Sequence, residues 1–345
     1  MKTIKYLGLK IQIIIFLIII CYNQSKSQEI HFSQVFNVPL FINAAQTGVF
    51  NTDYRISGIY RNQWKRIDVP YKTACLSFDI NRKFLNDNIG IGGYFINDVS
   101  GNTNLEINNF YFSLSYFKYF NNHQVSVGIQ PGFVTKQFDL ENIFFGSQYD
   151  PITGEFSHEM PSNEEFLLNS IAHFDLNAGI FWRSNYGKYF PSAGFSIAHI
   201  LKPVESFYED SDNGRIPMKL NFTGNIGIPI KKFMNLKPLI YYSKSGNIQE
   251  LISGTNISLL KYHENNKLSS IDFLGYIRSN ALKNLDAFIV GAGINIMGLK
   301  ATITWDLNIS SLRKASNFNG AFEISIVYNG RLINKKTYVE PCFLQ

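Results

Sequence analysis

Polar and apolar residues alternate one by one through much of this chain, the period of a strand with one apolar face. In Ala301-Thr-Ile-Thr-Trp-Asp-Leu-Asn-Ile309 the odd positions are Ala301, Ile303, Trp305, Leu307 and Ile309, and the even ones are Thr302, Thr304, Asp306 and Asn308. The same alternation runs through Phe110 to Tyr116, Val125 to Ile129 and Phe322 to Tyr328. Fourteen segments are predicted as strands, at about 54–64, 71–81, 89–98, 107–120, 124–137, 172–184, 188–201, 217–230, 234–244, 249–261, 269–279, 285–296, 299–308 and 319–329. Most reach the roughly 9 to 11 residues that a tilted strand needs to cross a bilayer. An acid such as Glu323 or Asp306 inside such a run suits a wet lumen.

Connection lengths follow the same plan. An even number of strands puts both ends of a barrel on one side of the membrane. Short connections at Asn121-Asn122-His123, Asn185-Tyr186-Gly187, Lys231-Lys232-Phe233 and Met297-Gly298 then lie opposite long ones at 138–171, 202–216 and 309–318. Short periplasmic turns facing long external loops are the pattern of an outer-membrane barrel. A short connection around Gly246, on the long-loop side, departs from it.

The N-terminal region does not alternate. Lys2, Lys5 and Lys10 precede Ile11 to Ile20, an apolar run broken only by Gln12, and Ser25-Lys26-Ser27 offers small residues for a cut before Gln28. That is the pattern of a cleaved signal peptide. Cys21 follows Ile18-Ile19-Ile20, where a lipidation site would carry a small residue. Between the signal and the first strand, Val35-Phe36 and Val38 to Ile42 are nearly continuous apolar stretches, and Pro39 would remove a ladder hydrogen bond from any interior strand. Phe32, Phe36, Leu40 and Phe41 are therefore expected to be buried, either in the lumen or against a partner, because exposed apolar area costs about 25 cal/mol per Å². The expected organisation is a signal peptide at 1–27, a periplasmic or lumenal segment at 28–53, the barrel at 54–329 and a periplasmic tail at 330–345.

Composition separates this plan from a helical membrane protein. Charged residues are 17% and aromatics 15%, against about 25% charged in soluble domains. Mean hydropathy is −0.06, and past the signal no apolar run approaches the roughly 20 residues of a spanning helix. The signal holds four of the 32 basic residues and no acid, so 28 basic against 26 acidic residues leave a net charge of +2 instead of +6. No basic cluster remains that would suit nucleic acid. Cys75 and Cys342 alone follow the signal, too few for a disulfide framework, and neither CxxC nor the Cys/His spacing of a zinc site appears. Cys75 is expected as a packed strand residue.

The histidines are His31, His123, His158, His173, His199 and His263. Neither HExxH nor GxSxG is present, and no enzymatic activity or cofactor is expected. A surface membrane enzyme, with a triad assembled from separate strands, stays an alternative because triads are recognised by geometry. Gly90, Gly92 and Gly93 lack the GxGxxG spacing and are expected to let strands bend or pack closely.

The region after the signal is more specific. It reads Phe32-Ser33-Gln34, Phe36-Asn37, Pro39-Leu40, Asn43-Ala44-Ala-Gln-Thr-Gly48 and then Tyr60-Arg61-Asn62-Gln63-Trp64. This resembles the PorP/SprF family of type IX secretion membrane proteins, which open with a Phe-Ser-Gln segment, a Pro, an Asn-Pro-Ala-x-x-Gly-like turn and a Tyr-Arg-x-Gln-Trp strand. Further likeness lies in Ile89-Gly-Ile-Gly92, Asn97-Asp98-x-x-Gly101, Gly128-Ile-Gln-Pro-Gly132 and Pro341-Cys342. Ala44 stands where the family has Pro, and Phe343-Leu-Gln345 replaces the usual Pro-Arg ending. The resemblance implies an outer-membrane component of the Bacteroidota type IX system that helps export or anchor a large surface adhesin, gliding adhesins included. It implies as partners that secreted cargo, other type IX components and outer-membrane lipid. Phe32, Ser33, Gln34, Phe36, Pro39, Asn43, Gly48, Tyr60, Arg61, Gln63 and Trp64 become the candidate partner-binding residues. Four of them also have a purely structural reading, Tyr60 and Trp64 as girdle aromatics, Arg61 as a lumen residue and Gly48 as a turn glycine. A porin or hydrophobic-solute channel would use the same fold.

Overall fold

The computed structural model describes residues 30–64, 69–84, 87–101, 104–138, 144–157, 159–161, 168–208, 214–262, 268–280, 284–310, 313–314 and 316–332. The expected signal peptide with its cut before Gln28, Cys21, His158, His263, Cys342 and most of the expected tail lie outside the described residues.

Among the described residues there are sixteen strands: β1 (Tyr54–Gln63), β2 (Tyr71–Phe84), β3 (Asp87–Ser100), β4 (Leu105–Phe120), β5 (His123–Gln137), β6 (Tyr149–Asp150), β7 (Glu155–Phe156), β8 (Ser170–Ser184), β9 (Phe190–Ala198), β10 (Lys219–Lys231), β11 (Met234–Ser245), β12 (Ile248–Tyr262), β13 (Leu268–Asn280), β14 (Asn284–Ile296), β15 (Leu299–Asn308) and β16 (Asn319–Gly330). β6 and β7 pair only with each other, inside the long loop. The other fourteen close an antiparallel barrel in which each strand pairs with its neighbour in the chain and β1 pairs with β16.

Alternation sorts the two faces. On β15, Thr302, Thr304 and Asp306 are 2%, 2% and 0% exposed, whereas Ile303, Trp305 and Leu307 are 48%, 44% and 41% exposed. The outward set continues around the wall with Leu76, Phe78, Phe110, Phe112, Ile129 and Ile180. Such an apolar band is the face a transmembrane barrel turns to lipid.

Strand ends follow local conformation. β1 stops at Trp64, whose φ of 58° takes it out of the extended region while its N–H donates to the Gly320 carbonyl at 3.0 Å. β9 is shorter than the alternation suggests because His199 and Lys202 adopt φ of 57° and 46°. There the His199 N–H donates to the Asn177 side chain at 3.1 Å instead of to the ladder. Asn121 at φ 52° and the pair Met297-Gly298 at φ 52° and 91° make the tight turns.

The barrel is not hollow. Residues 31–53 form no strand; Val35–Asn37 and Ala44–Gln46 are single 3-10 turns, and Pro39–Ile42 is one turn of α-helix begun by its proline. Pro at the first helical position leaves no N–H unpaired there and presets φ. Phe32, Val35, Val38, Leu40 and Ile42 are all 3% exposed or less, and burying each is worth about 2 kcal/mol. Val35 and Ile42 pack on Leu239, Tyr241, Ile252, Leu274, Tyr276 and Ile289 of the inner wall, while Ala45 and Val49 pack on Phe117 and Phe181. Cys75 is buried on β2, as its place in the alternation implies.

Candidate functional site: the plugged lumen

The lumenal segment is fixed at three levels. The uppermost lies toward the long-loop rim, where Arg61 pairs with Glu323 across the β1–β16 ladder. There the Ser33 and Gln34 backbone N–H groups donate to the two Glu323 carboxylate oxygens at 2.6 and 2.8 Å. The Ser33 hydroxyl reaches both Asp306 oxygens at 2.8 and 2.7 Å. Two guanidinium groups balance the two acids: Arg61 stands 2.5 Å from Glu323 and 3.3 Å from Asp306, and Arg278 stands 2.8 Å from Asp306. Arg61 is 1% exposed, and Asp306 and Glu323 are wholly buried. The wet lumen expected around these acids is thus filled, because the segment's own N–H groups and two arginines replace water. Buried charge is tolerated only when paired and hydrogen-bonded in this way.

At the middle level, Asn43 accepts from the Ala45 N–H at 2.9 Å and donates to the Ile180 and Phe195 carbonyls at 2.9 and 3.2 Å. Ser126 and Ser196 donate to the Ala45 and Ile42 carbonyls, both at 2.6 Å. Glycine makes this approach possible, since a Cβ on Gly128 would meet the Ala44 carbonyl at 2.5 Å and one on Gly90 would overlap the Thr47 carbonyl. Close packing is what Gly90 was expected to allow.

The lowest level lies near the rim of short turns. Gly48, at φ 69°, donates its N–H to Asp79 at 2.8 Å. Asp79 in turn holds Arg55 through a two-point pair at 2.9 and 2.6 Å, and Arg55 lies 4.9 Å over the Phe50 ring. Residues 31–53 therefore run through the lumen from the long-loop side to the start of β1.

Of the candidate residues, Ser33, Gln34, Arg61 and Gln63 meet in the upper network, where Gln63 accepts from Arg61 at 3.2 Å. Phe32 sits edge-on to Phe41 at 5.4 Å. Pro39, Asn43 and Gly48 shape the segment, and Phe36 lines a cleft beneath it. Tyr60 and Trp64 are not brought to these residues: Tyr60 faces outward, 38% exposed, and Trp64 packs on Tyr71 at 5.1 Å. Sequence reasoning did not foresee Arg55, Asp79 and Arg278 as members of the network. Their signal is a charge on the polar parity of an alternating strand.

A second polar group sits at the long-loop end of the lumen. Tyr111 donates to Asp175 at 2.5 Å and the His199 ring lies 2.7 Å from it. Nearby, Glu205 takes Lys136 and His173 as partners. Glu205 lies in the loop after β9; burial pushes its carboxyl up, but the His173 hydrogen bond and the Lys136 charge outweigh that and hold it below its ordinary value. Among the described residues no three His, Cys, Asp or Glu side chains are grouped as a metal site.

A family model described as "Type IX secretion system membrane protein PorP/SprF" matches residues 24–328. The chain belongs to the PorP/SprF family. It is thus an outer-membrane component of the type IX secretion system, and its fourteen long strands close a PorP/SprF barrel. Solved barrels resemble it at low identity. The toluene transporter TbuX of Ralstonia pickettii is 8% identical over 86% of this chain and 94% of its own, with a TM-score of 0.49. CdiB from Acinetobacter baumannii is 8% identical over 81% of this chain and 60% of its own, with a TM-score of 0.43. Among curated proteins, the zinc import ATP-binding protein ZnuC of Buchnera aphidicola subsp. Baizongia pistaciae (strain Bp) is 30% identical over 138 residues. That match covers 38% of this chain, which spans 57% of the length of that relative. The PorP/SprF chain carries no GxxxxGK[ST] phosphate-binding loop.

Proposed function

We propose that this protein serves as an outer-membrane anchor that helps export a large adhesin-like protein and holds it at the cell surface together with other type IX components, gliding motility being one use of such cargo. The observation that carries this reading is the filled lumen: residues 31–53 occupy the bore and are bonded to the wall at all three levels. A barrel so filled is suited to gripping a partner at its rims. By the rule for outer-membrane barrels the long loops face outward, and the longest of them presents Phe144, Tyr149, Phe156 and Ile152 to solvent, Ile152 at 93% exposure. Tyr60 and Trp64 would then touch lipid or a partner at the outer edge of β1.

The test is affinity isolation of the tagged chain from native outer membranes, followed by mass spectrometry, paired with surface labelling of cells from which its gene is deleted. The reading expects a large secreted surface protein to co-isolate and to disappear from the surface of the deletion strain. Unchanged surface labelling would remove the anchoring role.

A further inference from the structure

We propose that the cleft beneath the plug, opening at the short-turn mouth of the barrel, binds an acidic peptide segment of a protein on that side of the membrane. The cleft has a volume of about 430 Å³, within the roughly 300–1,000 Å³ of ligand-binding pockets. It spans the lumen from β8, which supplies Arg183, to β15, β16 and β1, which supply Lys300, Asn329 and Arg55, with Phe50 and Asn51 of the plug between them. Three cationic side chains line it, and none of its described lining residues is acidic.

The three cations differ in what neutralises them. Arg55 is held by Asp79 behind the cleft wall and serves to fix the lower end of the plug. Arg183 is held by neutral acceptors: its Nε donates to Gln124 and its Nη2 to Asn51 at 3.2 Å. Lys300 is 3.3 Å from Asn37 and only loosely placed, at 4.0 Å, against Asp272. Arg183 and Lys300 therefore bring positive charge from opposite walls to one space bounded by low-dielectric barrel, an arrangement that concentrates the field and favours an anion. Charges on two walls suit a ligand with more than one carboxylate better than a single small anion. Asn51 and Asn329 bring side-chain amides that can pair with a peptide backbone, whereas the Asn37 amide is taken up by Gln34 and Ser325, and Phe36, Phe50 and Val327 supply apolar wall. An acidic peptide uses all three features. The proposal does not depend on which cargo the outer rim grips.

Fluorescence anisotropy with a fluorescein-labelled hexaglutamate peptide, titrated with the purified full chain in detergent, tests it. Saturable binding is expected, weakened about three- to fivefold by Arg183→Gln or Lys300→Gln alone and about tenfold by both. It should also weaken on raising salt to about 0.5 M. Heat-modifiability on gels confirms that each variant keeps its barrel, and the single variants carry the test if the double variant does not fold. Absence of saturable binding, or equal affinity in wild type and both single variants, overturns the proposal. Inorganic phosphate that displaces the probe as well as unlabelled hexaglutamate does would overturn the peptide assignment, as would equal binding of hexalysine.

Discussion

Replacing Glu323 by Gln removes one charge with almost no change of shape, and its consequence can be worked from the upper network. Glu323 accepts two backbone N–H groups of the plug, from Ser33 and Gln34, and the Arg61 guanidinium at 2.5 Å. A glutamine can accept with its one oxygen, but its NH₂ must then face the other backbone N–H, so one charge-assisted bond worth about 1.5–3 kcal/mol is lost. Arg61 also loses half of its buried counter-charge, and breaking a buried pair costs about 3–5 kcal/mol in all. At 1.4 kcal/mol per tenfold, even the lower figure is on the order of a hundredfold in the opening equilibrium of the plug. Hydrogen exchange followed by mass spectrometry reads this directly. Amides of residues 31–38 should exchange about a hundredfold faster in Glu323→Gln, while the amides of β3, β4 and β5 stay protected. Unchanged protection at residues 31–38 would refute the reasoning, and equal loss throughout the barrel would show that Glu323 holds the wall and not the plug.

Other perturbations probe the remaining claims. Trp305 stands 44% exposed on the outward face of β15; Trp305→Arg should cost about 2–4 kcal/mol near the midplane and less toward an interface, measured as the midpoint of denaturant unfolding in micelles, and an unchanged midpoint would reassign that face. Glu205, held low by His173 and Lys136, contributes stability that is fully present above its ordinary value of 4.5 and is lost as pH falls through its lower folded value. The difference in thermal midpoint between wild type and Glu205→Gln should accordingly be present at neutral pH and shrink away as pH falls below 4.5 through the lower folded value, and a difference that persists in strong acid would contradict the pairing. A tag inserted after Gly154, in the exposed turn between β6 and β7, should bind antibody on intact cells, whereas labelling only after permeabilisation would invert the topology.

The barrel was legible because two-residue alternation and short turns are local signals. β15 was expected at 299–308 and is found at Leu299–Asn308, and β1 differs only at Trp64, where a positive φ ends the strand. β3 begins two residues earlier than its alternation suggested, at Asp87. The short β6–β7 hairpin inside loop 138–171 was not foreseen, since two-residue strands are too brief to set a period. In the plug, continuous apolar residues with a proline pointed to burial without a strand, and Leu40 is indeed fully buried. Its route was not legible. The bond from Ser33 to Glu323 joins residues 290 positions apart, and nothing local marks Glu323 as a partner for main-chain N–H groups instead of for water. For Arg278 and Asp79 the alternation marks only a lumenal charge, as their roles depend on where a separate segment crosses the lumen.

The central claim is that the bore is closed by the chain's own residues 31–53, leaving the rims to do the work. Single-barrel conductance in planar bilayers tests it most directly, comparing the full chain with one lacking Gln28 to Thr47 behind an intact signal. The full chain should stay closed under voltage and the deletion should give stable, open steps. Stable conductance of the full chain equal to that of the deletion would contradict the account and make the protein a channel.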